Sequence, residues 1–224
     1  MYYFFSIENT AFTLLGYPIS VIELVGIVFG LAGVWLAAIA NRLTWYIGLV
    51  SQIAYFALFY QYQLYSDMFL QVFFTVFGLY GMFAWQSEKT SVATKESTND
   101  TSFLTGTITG IRFMTTKQRL INGISIVFFV IIWGYTMSQL PVLLPKYFSQ
   151  PTAAPYLDGA IGVLSVFASF YQTRKYVEFW YLYIVADILA TGLYFYKNMP
   201  FSALLYAIFL IMAVIGARKW TSAK

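Results

Sequence analysis

Seven stretches of this 224-residue chain are largely apolar, nearly free of charge and roughly 16–22 residues long, close to the ~20 residues a helix needs to cross the hydrocarbon core of a bilayer. They run approximately over 19–40, 45–62, 67–85, 120–140, 158–173, 179–196 and 200–217. With 60% apolar, 21% aromatic and only 10% charged residues, the composition lies outside the soluble range. The expected fold class is therefore an all-α polytopic membrane protein with seven transmembrane helices. The chain has no Cys and no His, which removes disulfide frameworks, thiolate and imidazole metal sites and every nucleophile–His triad. It also lacks a GxxxxGK or GxGxxG phosphate loop. We therefore expect no enzyme activity, no cofactor and no metal, and the modest net charge of +4 implies no nucleic-acid partner.

Charge placement orients the spans. Of 13 Lys and Arg, only Lys146 and Lys197 fall at the amino terminus or in the loops after spans two, four and six. The other eleven (Arg42, Lys89, Lys95, Arg112, Lys117, Arg119, Arg174, Lys175, Arg218, Lys219 and Lys224) share the opposite face. The positive-inside rule then puts the amino terminus outside and the carboxyl terminus in the cytoplasm. Residues 1–17 lack a basic leader and a cleavage site and are expected to form an outer interfacial segment, as a short helix. The organisation that follows is a first three-helix bundle over 18–86, a Ser/Thr-rich cytoplasmic linker over 87–118, a connecting helix over 119–141, an outer loop over 142–157, a second bundle over 158–220 and a tail over 221–224. Asn99-Asp100-Thr101 matches a glycosylation acceptor, but on the cytoplasmic face the match carries no meaning.

Sliding the chain on itself by 135 residues pairs Trp45 with Trp180, Gln52 with Asp187, Gly81 with Gly216 and Trp85 with Trp220, with nine identities in forty-one positions from Trp45 to Trp85. At the same offset Glu23 falls on Asp158. Each half crosses three times, so two parallel halves need an extra helix to return the chain. The unpaired fourth span supplies it, giving a 3+1+3 plan. Parallel repeats of this kind recur in transporters that hold substrate near the midplane between halves.

Asp187 lies halfway along the sixth span, about 12 Å from either end. An ionised carboxylate there costs about 2.5 kcal/mol or more, so it should face the interior and find a partner. Trp180, Tyr183 and Asp187 form one stripe that continues to Thr191. Aromatic faces leading to a carboxylate suit a flat organic cation, through stacking, cation–π attraction and a charge acceptor. Trp45, Gly48 and Gln52, with Ser51 adjacent, occupy the matching stripe of the first half without the charge. Gln71 and its counterpart Tyr206 are further intramembrane polar groups able to reach the same cavity. Glu23 and Asp158 lie nearer the outer surface, where solvation accounts for them unless they form a cation-attracting vestibule. Gly26, Gly30, Gly33 and Ala37 form a small-residue packing seam.

These segments resemble the Pnu (PnuC-type) family of bacterial vitamin transporters. The resemblance is carried by Gly48 to Ser51, Gln63 to Phe74, Leu79 to Trp85, Thr173 to Asp187, and the closing Gly216 and Trp220. It implies a full-length SWEET-like fold of two parallel three-helix bundles in the bacterial inner membrane, assembling as a homotrimer. It also implies facilitated uptake of an unphosphorylated vitamin, trapped by a cytoplasmic vitamin kinase. The family stripe W-x-x-W-x-x-x-N is kept at Trp180 but reads Tyr183 and Asp187 at its other positions. An ionised Asp only accepts hydrogen bonds, so thiamine, with an exocyclic amine and a thiazolium, is favoured over nicotinamide riboside. A proton-coupled transporter using Asp187 is the remaining alternative. A retinal-type receptor is excluded, because residues 200–217 contain no Lys.

Overall fold

A Ser at an N-cap followed three residues later by Glu is the sequence signature of a helix start, and it sets the first helix here: the Ser20 hydroxyl accepts the Glu23 backbone N–H at 3.2 Å. The computed structural model describes residues 5–14, 16–62, 65–93, 110–145, 154–197 and 199–222. The Asn99-Asp100-Thr101 sequence, Lys146, and half of both the 87–118 linker and the 142–157 loop lie outside them. Among the described residues there are seven α-helices: α1 (Val21–Ala38), α2 (Leu43–Gln61), α3 (Tyr65–Ala93), α4 (Thr116–Leu143), α5 (Pro155–Thr173), α6 (Glu178–Tyr196) and α7 (Pro200–Ser222).

Six of these helices are long and apolar enough to cross a membrane; α5 is not among them. The seventh expected span therefore exists as a helix of 19 residues that falls short in hydropathy. Its apolar run is broken by Ser165, Ser169 and Gln172, three polar residues that face an internal cavity. The first residues also depart from expectation. In place of an interfacial helix, β1 (Thr10–Leu14) and β2 (Tyr17–Ser20) form an antiparallel hairpin whose turn uses Gly16 at φ 83°. Alternating Thr, Phe and Tyr residues suit a strand better than a helix. The hairpin is anchored where Tyr17 stacks on Phe201, and the preceding segment where the Gln61 side chain bonds the backbone of Phe5 and Ile7.

The helices close a ring in the order α1, α2, α3, α5, α6, α7 and back to α1, while α4 packs outside it against α5. The 135-residue repeat is visible in the backbone. Residues 43–61 of α2 map onto 178–196, the full extent of α6. The turn after α1 places Ala40 in the left-handed region at φ 51°, and the turn after α5 does the same with Lys175 at φ 56°. Neither is glycine, so each turn accepts a local cost that favourable helix packing offsets.

At the basic end of the ring, four indoles cluster. Trp45 meets Trp85 edge-on at 5.3 Å between ring centroids, and Trp180 meets Trp220 at 6.2 Å. Each closing tryptophan bonds the opposite half: the Trp85 indole N–H donates to the Thr173 carbonyl at 3.2 Å, and the Trp220 indole N–H donates to the Ala37 carbonyl at 3.0 Å. These carbonyls lie at the ends of α5 and α1, where helices leave acceptors unsatisfied, although that of Ala37 also accepts the Ala40 N–H at 2.9 Å.

Candidate functional site

Inside the ring lies a cavity of about 270 Å³, at the lower edge of the volumes that hold small organic ligands. Nine of the ten residues singled out from sequence line it: Trp45, Gly48, Ser51, Gln52, Gln71, Trp180, Tyr183, Asp187 and Tyr206. Thr191 does not. One helical turn beyond Asp187, its hydroxyl is buried without a partner outside the lining. The stripe rule extends along a helix indefinitely, whereas Asp187 is the last α6 residue to line the cavity, which Tyr206 and Phe209 of α7 also border.

Asp187 is 6% exposed and faces this space. Among the described residues no side-chain donor or cation is bonded to its carboxylate, so the partner expected for it is not supplied by a neighbouring helix. Tyr183, one turn earlier, is held by a 2.8 Å hydrogen bond to Ser169 on α5. Gln52, the counterpart of Asp187, has its amide oxygen buried and unpaired. The indole N–H groups of Trp45 and Trp180 are likewise buried without a partner. Four polar side chains thus converge on one cavity with hydrogen-bonding capacity in hand, at a depth where unmade bonds are expensive.

The other expected residues divide by what they already do. The Ser51 hydroxyl donates to the Gly26 carbonyl at 2.8 Å, so it joins α1 to α2 and has little left for a ligand. Thr44 donates in the same way to the Gly33 carbonyl, so the glycine seam of α1 is a packing surface. The Gln71 amide reaches only the Asp67 carbonyl, at 3.5 Å, a weak bond. Tyr206 stacks on Tyr194 at 5.2 Å. Trp180, 1% exposed and wedged on Gly216, is not a membrane-interface residue.

Glu23 and Asp158 differ from the solvated pair expected. Glu23 is 8% exposed and shares a hydrogen bond with Tyr17. Burial pushes the Tyr17 phenol well above its usual range, with Glu23 and Tyr62 beside it acting in the same direction. Asp158 pairs with Lys197 at 3.1 Å. Helix ends bring Asp158 and Lys197 together, and their separation of 39 residues hides the pair in the sequence.

Sequence reasoning missed the α5 wall, Ser165, Ser169 and Gln172. Their i, i+4, i+7 spacing inside an apolar run was the signal available. It also missed Val34, Tyr55 and Phe209, whose types are ordinary in any membrane helix.

Comparison with known proteins agrees with this architecture. Residues 20–222 match a family described as Nicotinamide mononucleotide transporter. The chain is 31% identical over 229 residues to the nicotinamide riboside transporter PnuC of Escherichia coli (strain K12), covering 97% of this chain and 93% of that protein. It is 25% identical over 215 residues to the riboflavin/roseoflavin transporter RibM of Streptomyces davaonensis, covering 96% and 91%. A crystal structure of the vitamin B3 transporter PnuC shares the fold, with a TM-score of 0.64 at 23% identity over 90% of this chain and 81% of that one.

Proposed function

The chain belongs to the nicotinamide mononucleotide transporter family, of the PnuC type, and on that premise we propose that it is a facilitative carrier of an unphosphorylated aromatic cation of the vitamin class. The observation that carries this reading is the Asp187 carboxylate, buried and, among the described residues, unpaired at a cavity lined by no Lys or Arg. A positively charged ring supplies the missing counter-charge, and the aromatic walls Trp45, Trp180 and Tyr183 add stacking and cation–π attraction. A phosphate would bring about −1.5 to −2 of charge against the same carboxylate with no cation to receive it. The nucleoside-level molecule is therefore the substrate, and phosphorylation by a cytoplasmic kinase traps it.

Nicotinamide riboside and thiamine both meet these requirements. The identity to the Escherichia coli nicotinamide riboside transporter supports the first. The acceptor-only carboxylate of Asp187, offered to an exocyclic amine as well as a thiazolium, supports the second. Riboflavin lacks a positive charge and carries three fused rings, which suits this cavity less well.

Calorimetric titration of the purified protein with thiamine, nicotinamide riboside and riboflavin separates these ligands. In Asp187→Asn the affinity for the bound cation should fall at least about tenfold, as expected for a desolvated charge pair, with the protein still folded; undiminished affinity would remove Asp187 from the site. Uptake into proteoliposomes should equilibrate equally with and without a proton uncoupler. Accumulation abolished by the uncoupler would instead make Asp187 a proton relay.

The same reading includes the 3+1+3 SWEET-like plan, with 18–86 and 158–220 as parallel halves and α4 as the connector. Its support is the 135-residue match of element bounds, the paired left-handed turns and the position of α4 outside the ring. Residence in the bacterial inner membrane with the amino terminus outside, and assembly as a homotrimer, complete the proposal.

A further inference from the structure

The repeat makes the two walls of the cavity comparable position by position, and they differ most at one pair. On α6 the position holds Tyr183, whose phenol is tied to Ser169 of α5. At the 135-residue offset α2 holds Gly48, and α1 holds Val34 in place of Ser169. Both replacements line the cavity. A ring that fills space in the second half has no counterpart in the first.

Packing does not account for this glycine. A Cβ built on Gly26 would meet the Tyr55 ring at 3.1 Å, and one on Gly81 or Gly216 would overlap a tryptophan. On Gly48 it would meet only the Gln52 amide nitrogen, at 3.7 Å. A Cβ on Gly33 would lie 3.7 Å from the Gly48 backbone, an ordinary contact, and the direction a Gly48 side chain would take is open. Glycine within a helix costs about 1 kcal/mol relative to alanine, so its presence beside open space points to something outside the chain that uses the room.

We propose that the Gly48 backbone forms a slot for the planar ring of the ligand, in the space that a counterpart of the Tyr183 ring would fill, across the cavity from the Asp187 carboxylate. The slot rests on the reading of this cavity as a vitamin site and adds the ring's location and the wall that limits its size. A single ring or two linked rings fit beside Gly48 with one face on the helix backbone. The unpaired Gln52 amide, one turn along, meets polar substituents at the ring edge.

The test is calorimetric titration of the full-length protein carrying Gly48→Ala, Gly48→Val or Gly48→Tyr, with thiamine and nicotinamide riboside as probes and thermal denaturation in parallel. Affinity should fall about tenfold for Ala and about a hundredfold or more for Val and Tyr, because each added group occupies ring space. Melting temperature should hold or rise, since the helix gains propensity. Should Gly48→Tyr alone not fold, Val34→Ser/Gly48→Tyr provides the new phenol with the hydroxyl partner that Tyr183 has. Folded Gly48→Val or double variant with undiminished affinity would overturn the slot. The two readings fail separately: if only the cation reading is wrong, Asp187→Asn binds as the wild type while the Gly48 series still declines; if only the slot is wrong, the reverse holds.

Discussion

Trp45 and Trp180 show how one residue type at symmetry-related positions takes two roles at once. Each lies across a glycine of the neighbouring helix, Gly81 or Gly216, which fixes the ring edge, and each also borders the cavity. Fixing the rings in advance lowers the entropy a ligand must overcome on stacking. Trp180→Ala should weaken a bound aromatic cation by about 1–2 kcal/mol in titration, roughly five- to thirtyfold. Trp180→Phe should lose less, because one aromatic ring face survives although the second ring of the indole and its unpaired N–H are removed. Gly216→Ala drives a methyl into the Trp180 ring and should destabilise the protein by about 1–3 kcal/mol, read as a lower melting temperature in detergent. Unchanged stability would mean that the indole is free to move aside.

Between residues and fold stand two devices at the basic end that no helix-spacing rule reveals. The first is the exchange of tryptophan hydrogen bonds, Trp85 to the end of α5 and Trp220 to the end of α1. Trp220→Phe keeps an aromatic ring but removes this bond, leaving the Ala37 carbonyl with the Ala40 N–H at 2.9 Å, and should cost about 0.5–1.5 kcal/mol of stability, read as a lower melting temperature in detergent. The second is a strap. Residues 110–115, which precede α4, form a short parallel bridge with the turn between α5 and α6, with Arg112 N–H donating to the Lys175 carbonyl at 2.9 Å and Val177 N–H to the Arg112 carbonyl at 3.0 Å. Glu178 extends the contact by accepting the Met114 backbone N–H at 3.0 Å and pairing with Arg119 at 2.9 Å. Met114 is thereby buried in the core. Glu178→Gln keeps an acceptor but removes the charge pair, a small loss because Arg119 is more than half exposed. Glu178→Ala removes both, and limited proteolysis should then cut near Arg112 faster than in the wild type. Equal cleavage rates would show that the bridge alone holds the strap.

For the molecule as a whole, the absence of cysteine makes orientation directly measurable. A single cysteine at Lys197 should react with an impermeant thiol reagent added outside cells, and one at Arg174 only after permeabilisation; the opposite pattern would invert the topology. The sequence carried the membrane class, the positions of the helices and the repeat, because each is written in local composition or in self-similarity at a fixed offset. It also indicated nine of the cavity's 23 lining residues, since an acid such as Asp187 in an apolar helix has few affordable environments. Tertiary structure decided what depends on residues far apart in the chain. It placed Thr191 outside the cavity, tied Ser51 to the Gly26 carbonyl, buried Glu23 and paired Asp158 with Lys197. It also brought Ser165, Ser169 and Gln172 of α5, the helix without an apolar window long enough to span, into the wall. Hydropathy records how much apolar surface a helix carries, whereas which side of that helix meets a neighbour, a hollow or lipid is fixed only when the ring closes.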